Sequence, residues 1–319
     1  SDGWRILDKA SSNSLFGKET YDEYFYPRSF LSSEGNIVGI SYNKIWVMDK
    51  NDEYRATQTS EIPLATGGIS TPLEHRNLNT NNDHGHDHHE KVEKLKIVSM
   101  GAPVGSTTST VMIGKDQVFL FGGKQQHQEE YTSSNQVYKI DFSNNFKPSI
   151  NKLKPMSFPR SNADATILPN GEIFINGGEA YNDHEFSIFT PEIYNTKTEV
   201  SQKLSQAYFR RNYHSTSLLL PNGTILVSGG DVWNSEVFYP PYLFTKDWNN
   251  ATILSKRPKI INLDKSINRG SITLQLDPNS SENVEMFSIV STGSVTHAQG
   301  SEQKFRSLQF TKKSANSYK

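Results

Sequence analysis

Three stretches of the chain repeat one arrangement of apolar and polar positions. Each has an apolar run, a short polar turn, a second apolar run and then a pair of glycines. They are 109–123 (STVMIGKDQVFLFGG), 165–178 (ATILPNGEIFINGG) and 217–230 (SLLLPNGTILVSGG). Downstream of each glycine pair lies a further strand-like segment with an aromatic residue: Gln136–Asp141, Pro191–Tyr194 and Ser235–Tyr239. A weaker fourth unit precedes them at Phe30–Ser41 and Lys44–Asp49, with Ser41-Tyr42 where the others have glycines.

The glycine pairs begin at 122, 177 and 229, a recurrence of roughly fifty residues, which is the period of a kelch-type β-propeller blade of four strands. The spacing therefore predicts an all-β chain of consecutive blades over residues 1–256. Asn170-Gly171 and Asn222-Gly223 read as two-residue hairpin turns in which both residues take positive φ. After Trp248 the pattern changes. Short alternating strands at Ser271–Leu276, Glu285–Val290 and Arg306–Phe310 predict a β-sandwich over 257–319. An immunoglobulin-like sandwich takes about 100 residues, and a closed ring of seven blades takes over ~300. Both units are thus expected to be parts of a longer chain, with further blades N-terminal to Ser1.

Composition narrows the function classes. The formal charge is −1, without the basic excess of a nucleic-acid-binding protein. No run of ~18 apolar residues is present to span a membrane. There is no cysteine, so neither disulfides nor thiolate metal sites can form within the chain. An insertion at about 77–94 contains Asn-Asp-His-Gly-His-Asp-His-His-Glu. It lacks periodicity and reads as a solvated loop, whose His84, His86, His88 and His89 could hold Zn²⁺ or Cu²⁺ weakly as a flexible tract.

Two segments carry a more specific signal. Residues 210–223 (RRNYHSTSLLLPNG), followed by Ser228-Gly229-Gly230, Glu236–Leu243 and Arg257–Ile260, resemble the copper-binding blade of the galactose oxidase/glyoxal oxidase family. Gly293–Ala298 (GSVTHA), with Gln303 six residues after His297, is similar to that family's second histidine motif. The resemblance implies a seven-bladed kelch propeller with an immunoglobulin-like domain, secreted from the cell. It also implies one copper ion held by Tyr213, His214 and His297, with Tyr213 as the catalytic base. The family's tyrosine–cysteine radical cofactor has no counterpart here, because no cysteine is available.

Imidazole and phenolate suit Cu(II) in tetragonal N/O sites. Adjacent strand residues face opposite ways, so Tyr213 and His214 must sit at an irregular strand start to reach one ion. Two readings remain open. The first is an oxidase that turns an aldehyde or primary alcohol and O₂ into the oxidised product and H₂O₂. The second is a non-catalytic kelch scaffold for carbohydrate or protein.

Overall fold

The structure is a computed structural model. It describes residues 6–10, 15, 27–41, 43–62, 65–66, 100–101, 107–127, 130–181, 184–264, 270–280 and 284–319. The His-rich insertion lies outside the described residues. Helical structure in named elements is confined to single 3-10 turns, such as Asp8–Ala10 and Pro241–Leu243.

Four antiparallel meanders follow one another. The first contains β1 (Arg28–Leu31), β2 (Ile37–Ser41), β3 (Lys44–Asp49) and β4 (Arg55–Glu61). A two-residue pair, β5 (Ala65–Thr66) with β6 (Met100–Gly101), comes next. The second meander is β7 (Ser109–Ile113), β8 (Gln117–Phe121), β11 (Val137–Asp141) and β12 (Ser149–Leu153), interrupted by the hairpin β9 (Lys124–His127) and β10 (Glu130–Ser133). The third is β13 (Ser161–Ile167), β14 (Ile173–Glu179), β15 (Glu192–Asn195) and β16 (Val200–Lys203). The fourth is β17 (Ser215–Leu219), β18 (Ile225–Gly229) and β19 (Glu236–Phe238).

Both faces of the middle sheets are buried, which explains their unbroken apolar runs. Along β8, Val118 and Leu120 pack with Val38, Ile40 and Val47 of the first sheet. Phe119 and Phe121, one residue out of phase, pack with Ala163, Ile173 and Ile175 of the third. Phe174 of β14 points the other way, to Ile225 and Val227 of the fourth. Each core thus lies between two successive sheets, with the first strand β13 in contact with both β7 and β17. This is a β-propeller arrangement.

The Asn-Gly turns differ from the expectation. Gly171 and Gly223 have φ of 82° and 80°, while Asn170 and Asn222 are not among the positive-φ residues. Gly171 N–H donates to Leu168 C=O at 2.9 Å, and Leu168 N–H to Glu172 C=O at 2.8 Å. These are three-residue loops, a type I turn closed by a left-handed glycine. The reason is the preceding proline: Pro169 and Pro221 fix a negative φ at the first turn position. Asn170 Oδ1 instead accepts the Glu172 N–H at 3.1 Å, and Asn222 Oδ1 accepts that of Thr224 at 3.1 Å.

The glycine pairs serve close approach between blades. A Cβ on Gly177 (φ 68°) would lie 2.0 Å from the Arg211 carbonyl oxygen. Each of the last two sheets also repeats one buried device. Arg160 donates from Nη1 to Gly177 C=O at 2.6 Å and pairs with Glu192 at 2.9 Å, both side chains fully buried. Arg211 donates to Gly229 C=O at 2.9 Å and reaches Glu236 at 3.4 Å.

Beyond the hairpin of β20 (Phe244–Lys246) and β21 (Thr252–Leu254), a second set of strands begins. Here β22 (Ile260–Leu263), β23 (Leu274–Leu276), β29 (Ser317–Tyr318) and β28 (Lys312–Ser314) form one sheet, and β24 (Phe287–Val290) with β27 (Phe305–Leu308) another. Phe287, Phe310 and Tyr318 meet edge to face between them, with centroids 5.0–5.9 Å apart. The last hairpin, β25 (Ser294–Thr296) and β26 (Gln299–Ser301), belongs to neither.

Burial acts to raise the Glu192 carboxyl's pKa. The Arg160 guanidinium and hydrogen bonds from Ser201 and Ser157 outweigh it and hold the group below its usual range. The stability this contributes is present above the ordinary carboxylate range and is lost as pH falls through it. Glu192→Gln leaves Arg160 buried without its counter-charge, so urea denaturation at pH 7 should show a loss of about 3–5 kcal/mol. Asp52→Asn, which breaks the solvent-exposed contact with Lys9, should move the midpoint little.

Candidate metal centre

Tyr213 and His214 occupy a turn immediately before β17, closed by Ser215 N–H donating to Asn212 C=O at 3.0 Å. His214 has φ of 65°, a left-handed conformation uncommon for a residue with a side chain. In a regular strand the two side chains would face opposite ways. Here the Tyr213 ring stacks on the His214 imidazole, with centroids 3.8 Å apart and planes at 30°.

His297 arrives from the other unit. It sits with Ala298 in the two-residue loop between β25 and β26, where Thr296 opposes Gln299. Their φ values are 51° and 61°, so this is the turn with two positive-φ residues, built without glycine. The His297 ring lies 5.0 Å from that of His214 at 85°, and 5.5 Å from Tyr213 at 65°. Residues more than 80 positions apart in the chain thus form one ring cluster.

The hairpin reaches the cluster along the propeller axis. Gln299 pairs in parallel with Thr110, and Thr110 N–H donates to Ala298 C=O at 3.0 Å. The second sheet is thereby extended inward past its own first strand, in the order β12-β11-β8-β7-β26-β25. The hairpin also contacts β13 and β17.

The electrostatics keep His297 neutral. Burial, with repulsion from His214 and Arg28, holds its imidazole below the ordinary histidine range. Its Nδ1 is 2.8 Å from Thr296 Oγ1; with Nδ1 as the donor there, Nε2 is the nitrogen that would bind a metal. Two imidazoles and a phenol form a donor set for a first-row ion. One ion bonded at ~2.0–2.1 Å to two cis imidazoles sets ring centroids about 4.5–5 Å apart. Among the described residues, no group of three or more His, Asp or Glu offers an alternative site.

A buried polar layer supports this cluster. Ser215 Oγ donates to Asp164 at 2.8 Å, and Asn212 Nδ2 donates to Glu179 at 3.1 Å and Ser187 at 2.9 Å. Asn162 reaches the other Glu179 oxygen at 3.1 Å. Sequence reasoning missed Asp164 and Glu179. The available signal was the alternation of Asn162 and Asp164 with alanines in a strand too central to be exposed.

A family model described as "Glyoxal oxidase N-terminus" matches residues 124–247. A galactose oxidase of Gibberella zeae is 28% identical over 218 residues, covering 64% of this chain and 31% of the relative. An aldehyde oxidase of Arabidopsis thaliana is 28% identical over 166 residues, 46% of this chain and 27% of the relative. The chain is thus similar to galactose oxidases and glyoxal oxidases. It spans about a third of the length of the curated relatives it matches. A solved structure titled as a novel fungal alcohol oxidase of the AA5 family, in complex with copper, shares the fold. Its TM-score is 0.59 at 18% identity, over 92% of this chain and 77% of that one. The family match spans Tyr213 and His214, whereas His297 lies beyond it.

Burial pushes the Asp164 carboxyl up to about 7, opposed by the Ser215 hydrogen bond and the Arg211 charge. A raised folded-state pKa means that the fold favours the protonated acid. Stability is therefore lost as pH rises from the ordinary carboxylate range to about 7. Asp164→Asn, which can still accept from Ser215, should raise the thermal midpoint at pH 8. That gain should shrink toward zero by pH 4. A pH-independent effect would contradict this assignment.

Proposed function

We propose that Tyr213, His214 and His297 form the protein part of a copper centre in an oxidase that converts a primary alcohol or aldehyde and O₂ into the oxidised product and H₂O₂. The observation that carries the reading is the meeting of the three rings, with centroids 3.8–5.5 Å apart, contributed by two separate units. The donor set fits copper: two nitrogens and one phenol oxygen, with His297 held neutral beside them.

Copper, when bound, supplies a one-electron couple between Cu(II) and Cu(I). The imidazoles would hold the ion, and Tyr213, 39% exposed, would as its phenolate accept the substrate's hydroxyl proton as general base. Alcohol oxidation removes two electrons, so a second one-electron centre is required. This chain has no cysteine and cannot make a tyrosine–cysteine cross-link from its own residues, so the oxidase reading needs that centre from outside these 319 residues. We read residues 1–256, which contain the four meanders, as kelch blades and 257–319 as an immunoglobulin-like sandwich, in a secreted protein. No helix among the described residues is long and apolar enough to cross a membrane. The second reading is a scaffold that binds carbohydrate or protein without turnover, in which no radical centre is needed.

Copper titration separates the two. His84, His86, His88 and His89 would bind Cu²⁺ adventitiously, so the test chain carries alanine at all four. One equivalent of copper should bind, with two imidazole nitrogens in its paramagnetic spectrum. His214→Ala and His297→Ala should each abolish loading, and Tyr213→Phe should spare most of it. Copper uptake that survives both histidine replacements would sink the oxidase reading and leave the scaffold.

A further inference from the structure

A hairpin whose turn is left-handed at two non-glycine residues does not hold its tip in place by itself. Its position in the axis is set from outside. At its base Gln303 is buried, with 6% exposure. Gln303 Oε1 accepts the Ile167 N–H at 2.7 Å, and Gln303 Nε2 donates to the Ile167 C=O at 2.9 Å. Ile167 ends β13, whose sheet places β14 on one side only. One side-chain amide therefore takes the place of a strand residue on the edge of β13 that faces the axis.

The rest of the hairpin is packed to match. A Cβ on Gly300 would lie 2.9 Å from Val111 Cγ1 and 3.2 Å from both the Ala165 and Thr110 carbonyl oxygens. The hairpin backbone is thus wedged between the second and third blades. A Cβ on Gly293 would lie 2.6 Å from the Gln303 Cβ, so the first residue of the segment leaves room for the amide to reach Ile167. At the tip, Ala298 takes the Thr110 N–H.

We infer that Gln303 is the positioning residue of the candidate metal centre: its paired hydrogen bonds to Ile167 clamp the β25–β26 hairpin in the propeller axis and so set where His297 meets His214 and Tyr213. Gln303 touches none of the three rings in this role and acts through the hairpin. An amide is required because one group must both accept and donate. A carboxylate keeps the acceptor and loses the donor, and a thioether of similar length loses both. The inference rests on the copper-centre reading for its consequence, while the clamp itself has a readout that needs no metal.

The experiment uses the full chain with alanine at the four tract histidines, and Gln303→Met within it. Without metal, hydrogen exchange should speed up at the Ile167 amide, which loses its acceptor, and at the Thr110 amide, which reports docking of the tip. With Cu²⁺ alone as probe, affinity should fall by about ten- to hundredfold, the usual effect of removing a group that orients a metal ligand. In the copper that still binds, the paramagnetic signal of one of the two imidazole nitrogens should weaken. Gln303→Glu should fall between the two, and it serves as the variant if Gln303→Met does not fold. Unchanged exchange at Thr110 would overturn the clamp, whatever copper does. Unchanged copper affinity beside faster Thr110 exchange would overturn the positioning role. If the parent chain binds no copper but Thr110 exchange still rises, the copper reading fails and the clamp stands.

Discussion

The structure depends on how the first strand of each sheet satisfies the edge that it turns toward the axis. Strand edges carry backbone donors and acceptors that must find partners once buried. In β7, β13 and β17 they are met from neighbouring blades. Ser109 Oγ donates to Ala163 C=O at 2.5 Å, Thr166 Oγ1 to Ser217 C=O at 2.8 Å, and Asn162 N–H to Thr107 C=O at 3.0 Å. Small hydroxylated side chains let these strands approach closely. What they leave unmet is taken by the other unit, through β26 along β7 and Gln303 against β13.

That division explains where the candidate centre lies. Blades contribute the walls of the axis, and a chain segment from outside the blades brings the third ring in. Tyr213 and His214 lie at the mouth of the fourth blade because a turn there replaces the strand. His297 meets them because its hairpin is held along the axis. Three of the four residues in these two turns, His214, His297 and Ala298, have left-handed backbones. Such conformations cost of order 1–3 kcal/mol each and persist only where surrounding structure holds them. Here the holding structure is the buried polar layer of Asp164, Glu179, Asn212 and Ser215, together with the Thr110 bond to Ala298.

The same layout ties the ring cluster to the packing of the last hairpin against the blades. Neither hairpin nor blades contain more than part of the ring cluster, so a loosened interface would separate His297 from its partners without unfolding a blade. The buried Arg160–Glu192 and Arg211–Glu236 pairs act at another level. Each closes one blade on its own glycine pair and fixes the strand start from which the next contact springs.

The sequence by itself determined the all-β class, the blade period and the three rings to watch. Those features are local: continuous apolar runs, glycine pairs and two short histidine motifs each state themselves within fifteen residues. It also required an irregular strand start at Tyr213-His214, since a regular one would point the pair apart. Where a local rule met a competing local constraint, the reading slipped, as at Asn170-Gly171, where Pro169 imposed a type I turn. Tertiary structure alone decided the partners of Gln303, Asp164 and Glu179, and the path of the 293–303 segment along the axis. Gln303 and Ile167 are 136 residues apart, and no pattern within either segment encodes the other. Their pairing exists because four sheets, packed face to face, leave one strand edge open at the place the hairpin can reach.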